Sequence, residues 1–249
     1  MTEATACLLL IGNEILSGRT KDANLPYIAL GLNSVGVRLR EARVIPDVAE
    51  TIVATVNEVR AKFTYVFTTG GIGPTHDDIT AECVARAFGV PLILHPEAHR
   101  RLLAWYKPGE LNEARLRMAH VPEGASLIDN PVSRAPGFRI GNVFVMAGVP
   151  EIMRAMFDSV KHTLEGGRPL LSRAVNSNVA EGVLAEGLGA IQARFPMVEI
   201  GSYPYFRRGA AGTSLVLRAT EPGPLAEAFE AVMALVRSLG GEPFEEPMS

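Results

Sequence analysis

The sequence is poor in several features, and each shortage excludes a class of protein. It holds 2 cysteines, Cys7 and Cys83, with neither a CxxC pair nor a nearby histidine. That argues against a disulfide framework and against a structural zinc site. It has no surplus of positive charge: 24 basic residues face 27 acidic ones, a formal net of −3. A general nucleic-acid binder carries a basic stripe or excess, so no nucleic-acid partner is expected. No apolar run approaches the roughly 20 residues that span a bilayer, so no membrane role is expected. The opening MTEATACLLLIGNEI has an acidic residue where an export signal needs positive charge, and its apolar run, residues 6–11, is too short for an export core. A cytoplasmic, soluble, reduced protein is therefore predicted. Internal repeats and low-complexity tracts are lacking as well. What is present is globular in character: 47% hydrophobic and 20% charged residues, in a chain of 249 that is long enough for one or two domains with real cores.

Residues 6–11 (ACLLLI) form a continuous apolar run closed by Gly12, the pattern of a parallel strand buried on both faces. After a polar stretch, Asn24 is an N-cap candidate with Pro26 in the first turn, and the helix should stop at Gly36. Residues 37–45 read as a second strand. Asp47 is placed to cap a helix carrying Ile52, Val56, Val59 and Phe63 on one face. Residues 65–69 form a third strand that breaks into Gly70-Gly71-Ile72-Gly73-Pro74, after which Asp77 or Asp78 should cap a third helix. This β-α-β-α-β-α order predicts an α/β fold: an open, mostly parallel sheet with helices on both faces and right-handed crossovers. Farther on come a short strand near Leu92, helices near 97–106 and 110–119, a strand at 126–128, a hairpin turning at Gly141-Asn142, and a helix with Met153, Met156 and Phe157. Gly166-Gly167-Arg168-Pro169 reads as a linker. The predicted domains are 1–167 and 168–249, the second a small α+β module of strand, helix (179–194), two strands and helix (225–239).

In an open α/β sheet, ligands bind beyond the carboxyl ends of the strands where the strand order reverses. If the first and third strands flank that point, Gly12-Asn13-Glu14-Ile15-Leu16-Ser17-Gly18 meets Thr68-Thr69-Gly70-Gly71-Ile72-Gly73-Pro74-Thr75-His76-Asp77-Asp78. The second segment has the parts of a phosphate cradle: glycines that expose backbone N–H groups, threonine hydroxyls, and a following helix. An ordinary glycine-rich turn has the same look when it stands alone; the partner segment is what raises the cradle above it. Adjacent carboxylates at such a site would repel an anion unless a cation sits between, which motivates a divalent ion held by Asp77 and Asp78. Glu14 could hold a hydroxyl, a pterin-like N–H pair or a metal-bound water. His76 could act as acid, base or phosphate donor, although a loop histidine is usually just solvated. The candidate catalytic set is Glu14, Asp77 and Asp78. The candidate ligand-binding set is Gly12, Asn13, Ser17, Asp47, Thr69, Gly70, Gly71, Gly73 and Thr75. His95 and His99 lack a third ligand, so zinc is not expected there. Gly209-Ala-Ala-Gly212 after Arg207-Arg208 has the GxxG form of an RNA clamp but reads as a hairpin loop, and Trp105-Tyr106 on a helix reads as packing.

GNEILSGRTKDAN and TTGGIGPTHDDIT resemble the molybdopterin-binding (MoaB/MogA-like) domain, in the form found at the N-terminus of CinA and fused to some eukaryotic FAD synthases. Pro122-Glu-Gly-Ala125, Asn130-Pro131, Ala135-Pro-Gly-Phe138 and Gly148-Val-Pro150 agree with the CinA branch. Glu181-Gly182 and Gly201-Ser-Tyr-Pro204 resemble the KH-like domain that follows in CinA proteins, and the C-terminal amidase domain is not expected. The resemblance implies a metal-dependent (Mg or Co) pyrophosphatase that splits ADP-ribose, or alternatively a protein that binds molybdopterin or another phosphopterin without turnover. The implied partners are a small phosphorylated ligand and further copies of the chain. Two positions depart from the family pattern. Asn13 replaces an Asp, and Ile152 stands where a Glu is common, which takes carboxylates from the implied metal site.

Overall fold

In the computed structural model, which describes residues 3–207 and 210–246, the N-terminal apolar run is β1 (Thr5–Ile11). Its side chains alternate between two separate cores, with Cys7, Leu9 and Ile11 on one face and Ala6, Leu8 and Leu10 on the other. A strand buried on both faces must be central in its sheet. The chain then runs through α1 (Asn13–Leu16), α2 (Asn24–Ser34), β2 (Arg38–Ile45), α3 (Ala49–Lys62), β3 (Tyr65–Thr69) and α4 (Thr80–Phe88). Next come β4 (Leu92–Leu94), α5 (Pro96–Trp105), α6 (Glu113–Leu116) and β5 (His120–Pro122). β6 (Ser126–Ile128), β7 (Gly137–Ile140), β8 (Val143–Met146) and α7 (Pro150–Val160) complete the first of two compact units, Met1–Gly167.

Six strands of this unit form one sheet in the order β2-β1-β3-β8-β7-β6. β2, β1, β3 and β8 are parallel, and β7 and β6 finish the edge antiparallel. Ile52, Val56 and Val59 of α3 and Cys83, Val84 and Ala87 of α4 cover one face. Ile28 and Leu32 of α2 and Met153, Met156 and Phe157 of α7 cover the other. This is the three-layer α/β arrangement expected from the strand–helix alternation. The path from β1 to β2 moves one way along the sheet, and the path from β2 to β3 crosses back over β1, so the order reverses between β1 and β3. Leu10 pairs with Thr69 and Thr69 with Met146, so β1, β3 and β8 finish level with one another.

The second unit, Arg168–Ser249, contains β9 (Leu171–Ser177), α8 (Glu181–Arg194), β10 (Glu199–Arg207), β11 (Ala210–Ala219), α9 (Pro222–Ser238) and β12 (Phe244–Glu246). Its antiparallel sheet runs β10-β11-β9-β12. Leu184 of α8 and Leu225, Phe229 and Val232 of α9 pack on Val175, Leu215 and Leu217. Arg208 and Gly209 of the GxxG segment lie outside the described residues; the strands on either side of them pair antiparallel, Arg207 with Ala210. Among the described residues no helix is long and apolar enough to cross a membrane.

Candidate active site

The level ends of β1, β3 and β8 open into a cleft of about 560 Å³. Glu14 enters it from the β1 side and Asp47 from beyond β2. Gly70, Gly71, Gly73, Asp77 and Asp78 enter from the β3 loop, and Gly148, Val149, Pro150 and Ile152 from the start of α7. Asn130, Ser133 and Ala135, from the loop between β6 and β7, close the remaining side.

Glycine is required where the β3 loop leaves the sheet. Gly70 has φ 103°, and a Cβ there would sit 2.1 Å from the Ile11 carbonyl oxygen. Gly71, at φ 68°, would press a Cβ onto the Thr80 hydroxyl at 2.2 Å. Thr80 is fully buried and locks this turn: its hydroxyl donates to the Gly70 carbonyl at 3.0 Å and its N–H to the Gly71 carbonyl at 2.9 Å. The two strand ends therefore touch through bare backbone.

The aspartates after the glycines do not cap α4. The helix starts at Thr80 with Ile79 as its N-cap and no side-chain cap. Asp78 instead turns back, its Oδ2 accepting from the Thr75 N–H at 2.8 Å and the Thr75 hydroxyl at 2.5 Å, so it fixes the shape of the loop. The Thr75 hydroxyl also holds the Asp77 carboxyl below its ordinary range, helped by Asp77's own backbone N–H. Asp77 is therefore an exposed anion at neutral pH. Asp47 likewise caps nothing. Val48 holds that position at α3, while Asp47 Oδ2 accepts from the Asn13 N–H at 2.8 Å and pins α1 across the mouth of the cleft. Asn24 is the first residue of α2 rather than its cap: its N–H and that of Leu25 bond Asp22, and its side-chain amide donates to the Gly148 carbonyl at 2.8 Å.

Of the residues singled out from the sequence, the cleft gathers Glu14, Asp47, Gly70, Gly71, Gly73, Asp77 and Asp78. It does not gather Gly12, Asn13, Ser17, Thr69 or Thr75 among its lining. Gly12 and Thr69 are buried in the strand ends. The Ser17 hydroxyl donates to the Glu14 carbonyl at 3.2 Å, and Asn13 contributes its backbone to Asp47. The His76 side chain is 95% exposed and lies beside Asp77. Sequence reasoning did not single out Asn130, Ser133 or Asn24 as site residues. The usable signal for Asn130 was its place in the Asn-Pro and Ala-Pro-Gly stretch.

A divalent cation fits this donor set in one particular way. Among the described residues no group of three or more His, Cys, Asp or Glu side chains is placed to cage a metal. The cleft does offer hard carboxylate oxygens, and Mg²⁺ commonly takes one or two of these and completes its shell with water and ligand phosphate. Asp77, exposed and anionic, suits that role better than Asp78, whose Oδ2 takes both the N–H and the hydroxyl of Thr75.

Comparison with known proteins agrees with this architecture. Residues 7–166 match the family described as "Probable molybdopterin binding domain". Residues 169–240 match "FAD synthase, middle domain". A protein of Archaeoglobus fulgidus is 36% identical over 198 residues, covering 79% of this chain and 84% of the relative. A CinA-like protein of Desulfosudis oleivorans is 33% identical over 207 residues, 78% of this chain; the matched part spans only 50% of that relative's length. The crystal structure of the protein CinA with unknown function from Thermoplasma acidophilum superposes with a TM-score of 0.61 at 32% identity, covering 65% of this chain and 98% of that one.

Proposed function

The chain belongs to the molybdopterin-binding domain family, in its CinA-like branch, and on that footing we propose that it hydrolyses the diphosphate of an ADP-ribose-type nucleotide in the cleft beyond β1 and β3. The observation that carries the proposal is the contact of the two strand ends through Gly70, which brings the backbone of Gly71 and Gly73 and the carboxylates of Glu14 and Asp77 onto one 560 Å³ hollow. In this reading the backbone of residues 71–73 holds the diphosphate, the Gly70 N–H being taken by the Met146 carbonyl at 3.1 Å. Asp78 holds the loop in shape through Thr75. Asp77 recruits a divalent ion, Mg²⁺ or Co²⁺, which when bound would offset phosphate charge and polarise the phosphoryl oxygen. Glu14, across the cleft, orients a water or a ribose hydroxyl. Incubation of purified protein with ADP-ribose and Mg²⁺ or Co²⁺ should release AMP. Turnover no greater than in a metal-free control removes the hydrolase reading for that substrate.

A second reading has its own observation. Ile152 lines the cleft together with Ala147, Val149, Pro150 and Met156, so this wall is apolar where a carboxylate would serve a metal. A non-catalytic site for molybdopterin or another phosphorylated pterin would use such a wall to hold a flat ring. It predicts calorimetric binding of the phosphopterin with no product formed. Self-association of the chain belongs to either reading, and light scattering on the purified protein tests it.

A further inference from the structure

Trp105, expected to pack, is 50% exposed. It lies at the end of α5 in a concave patch of about 300 Å³ whose other walls are Arg100, Arg101, Ala104 and Arg134. A large ring left half in water in a hollow lined by three arginines is a surface for a flat anionic molecule, because arginine pairs with phosphate and indole offers a stacking face.

Two features show that the patch is built. Glu97 accepts from Arg100 Nε at 2.8 Å and from Arg101 Nε at 2.9 Å, and Arg101 Nη1 reaches Asp129 Oδ1 at 3.1 Å. One carboxylate thus orients two guanidinium groups, Asp129 balances the second charge and ties α5 to the loop that follows β6, and the surplus positive charge of the patch is that of Arg134. The second feature is Arg134 itself. At φ 62° it is the one non-glycine with positive φ among the described residues. Asn130, only 2% exposed, holds this conformation: its amide nitrogen donates to Ser133 Oγ at 2.7 Å and the Ala135 carbonyl at 2.8 Å, and its oxygen accepts from the Val132 and Ser133 N–H groups at 3.0 and 3.2 Å. Among the described residues the Arg134 side chain makes no ion pair or hydrogen bond. Backbone strain held by a buried network, at a position that presents an unpaired cation, is a mark of binding sites.

We propose that this patch is a second ligand site, separate from the main cleft, for a small nucleoside phosphate: the base stacks on Trp105 and the phosphate is held by Arg134 with Arg100. Size and charge favour a mononucleotide over a nucleic-acid strand. The hollow is at the small end of ligand pockets, and Glu97 and Asp129 would repel a continuing phosphate backbone.

The sequence contains 1 tryptophan, so fluorescence excited beyond the absorption of its 5 tyrosines reads this site alone. Titration of the intact protein with AMP should give saturable quenching, with adenosine and inorganic phosphate each acting more weakly. Arg134→Gly is the informative variant, because glycine adopts this φ freely and the fold is kept. It should weaken AMP binding roughly tenfold, the value of one charge-assisted contact. Absence of saturable quenching, or equal quenching in Arg134→Gly, overturns the proposal. So does a single-stranded RNA oligomer that quenches at far lower concentration than AMP.

Discussion

Two loops line the same cleft and reach a left-handed backbone by opposite means. In loop 70–78 the positive φ values fall on Gly70 and Gly71, where no side chain is wanted and bare backbone must touch the next strand. In loop 130–135 the positive φ falls on an arginine, and the buried side chain of Asn130 supplies the bonds that hold it there. The first loop keeps bare backbone at the strand ends, which the proposed phosphate cradle would use. The second is shaped to present a side chain. Backbone geometry alone would not separate the two; what differs is which group the protein keeps at the strained position.

The largest effect should come from breaking the first loop. Gly70→Ala forces a Cβ to within 2.1 Å of the Ile11 carbonyl oxygen at a φ of 103° that alanine rarely adopts. We expect a loss of about 3 kcal/mol or more in urea unfolding. A variant within 1 kcal/mol of the parent would show that the β1–β3 contact is softer than the geometry requires. Asn130→Ala comes next. It removes the acceptor and donor of four bonds at a buried position, at a cost of about 2–3 kcal/mol, and should abolish AMP quenching of Trp105 by releasing Arg134. Retained quenching would separate the loop's stability from its ligand. Asp78→Asn is smaller, about 1 kcal/mol, because a neutral amide still fits beside Thr75 and loses only the charge on those bonds. If the proposed hydrolysis holds, turnover should fall far more in Asp77→Asn, which removes the proposed metal carboxylate, than in Asp78→Asn, which keeps the loop in shape.

How far the molecule could be read in advance follows the range of its interactions. β3 is legible residue for residue because an apolar run ends there in glycines, whereas the neighbouring of β1 and β3 is only a condition in the sequence and is met by their pairing in the sheet. The carboxylates were misread as caps. Asp47 bonds an N–H 34 positions away, and Asp78 bonds backward within its own loop, both choices set by where β1 and β3 end. Trp105 continues the inward stripe of Ala98 and Leu102, both fully buried, yet α5 stops at that residue and the ring is left half in water. Periodicity gives a direction but not a neighbour to cover it. β12 is three residues long and exists only through its pairing with β9, so nothing local announces it.

Arg134→Gly tests the cost carried by the second loop from the other side. It removes an arginine from a conformation worth about 1 kcal/mol of strain or more, so the variant should be more stable than the parent while losing ligand quenching. Stability gained with binding lost is the pattern of strain kept for function, whereas a destabilised variant would mean that the Arg134 side chain supports the loop.

The smallest effect is a pH dependence of the clamp beneath that loop. The Arg101 and Arg100 guanidinium groups hold the Glu97 carboxyl below its ordinary value of 4.5. A carboxyl with a lowered folded-state value stabilises the fold above its unfolded value and loses that contribution as pH falls through the lowered one. The contribution is therefore full at pH 7 and fades in acid, below the ordinary carboxylate value. Glu97→Gln should melt slightly below the parent at pH 7, and the gap should close as the buffer is taken below pH 4.5. The group is partly exposed, so the gap is small and shrinks further in high salt. A gap that persists unchanged into acid would assign the role of Glu97 to its shape rather than its charge, and the arginines of the Trp105 patch would then be oriented by packing alone.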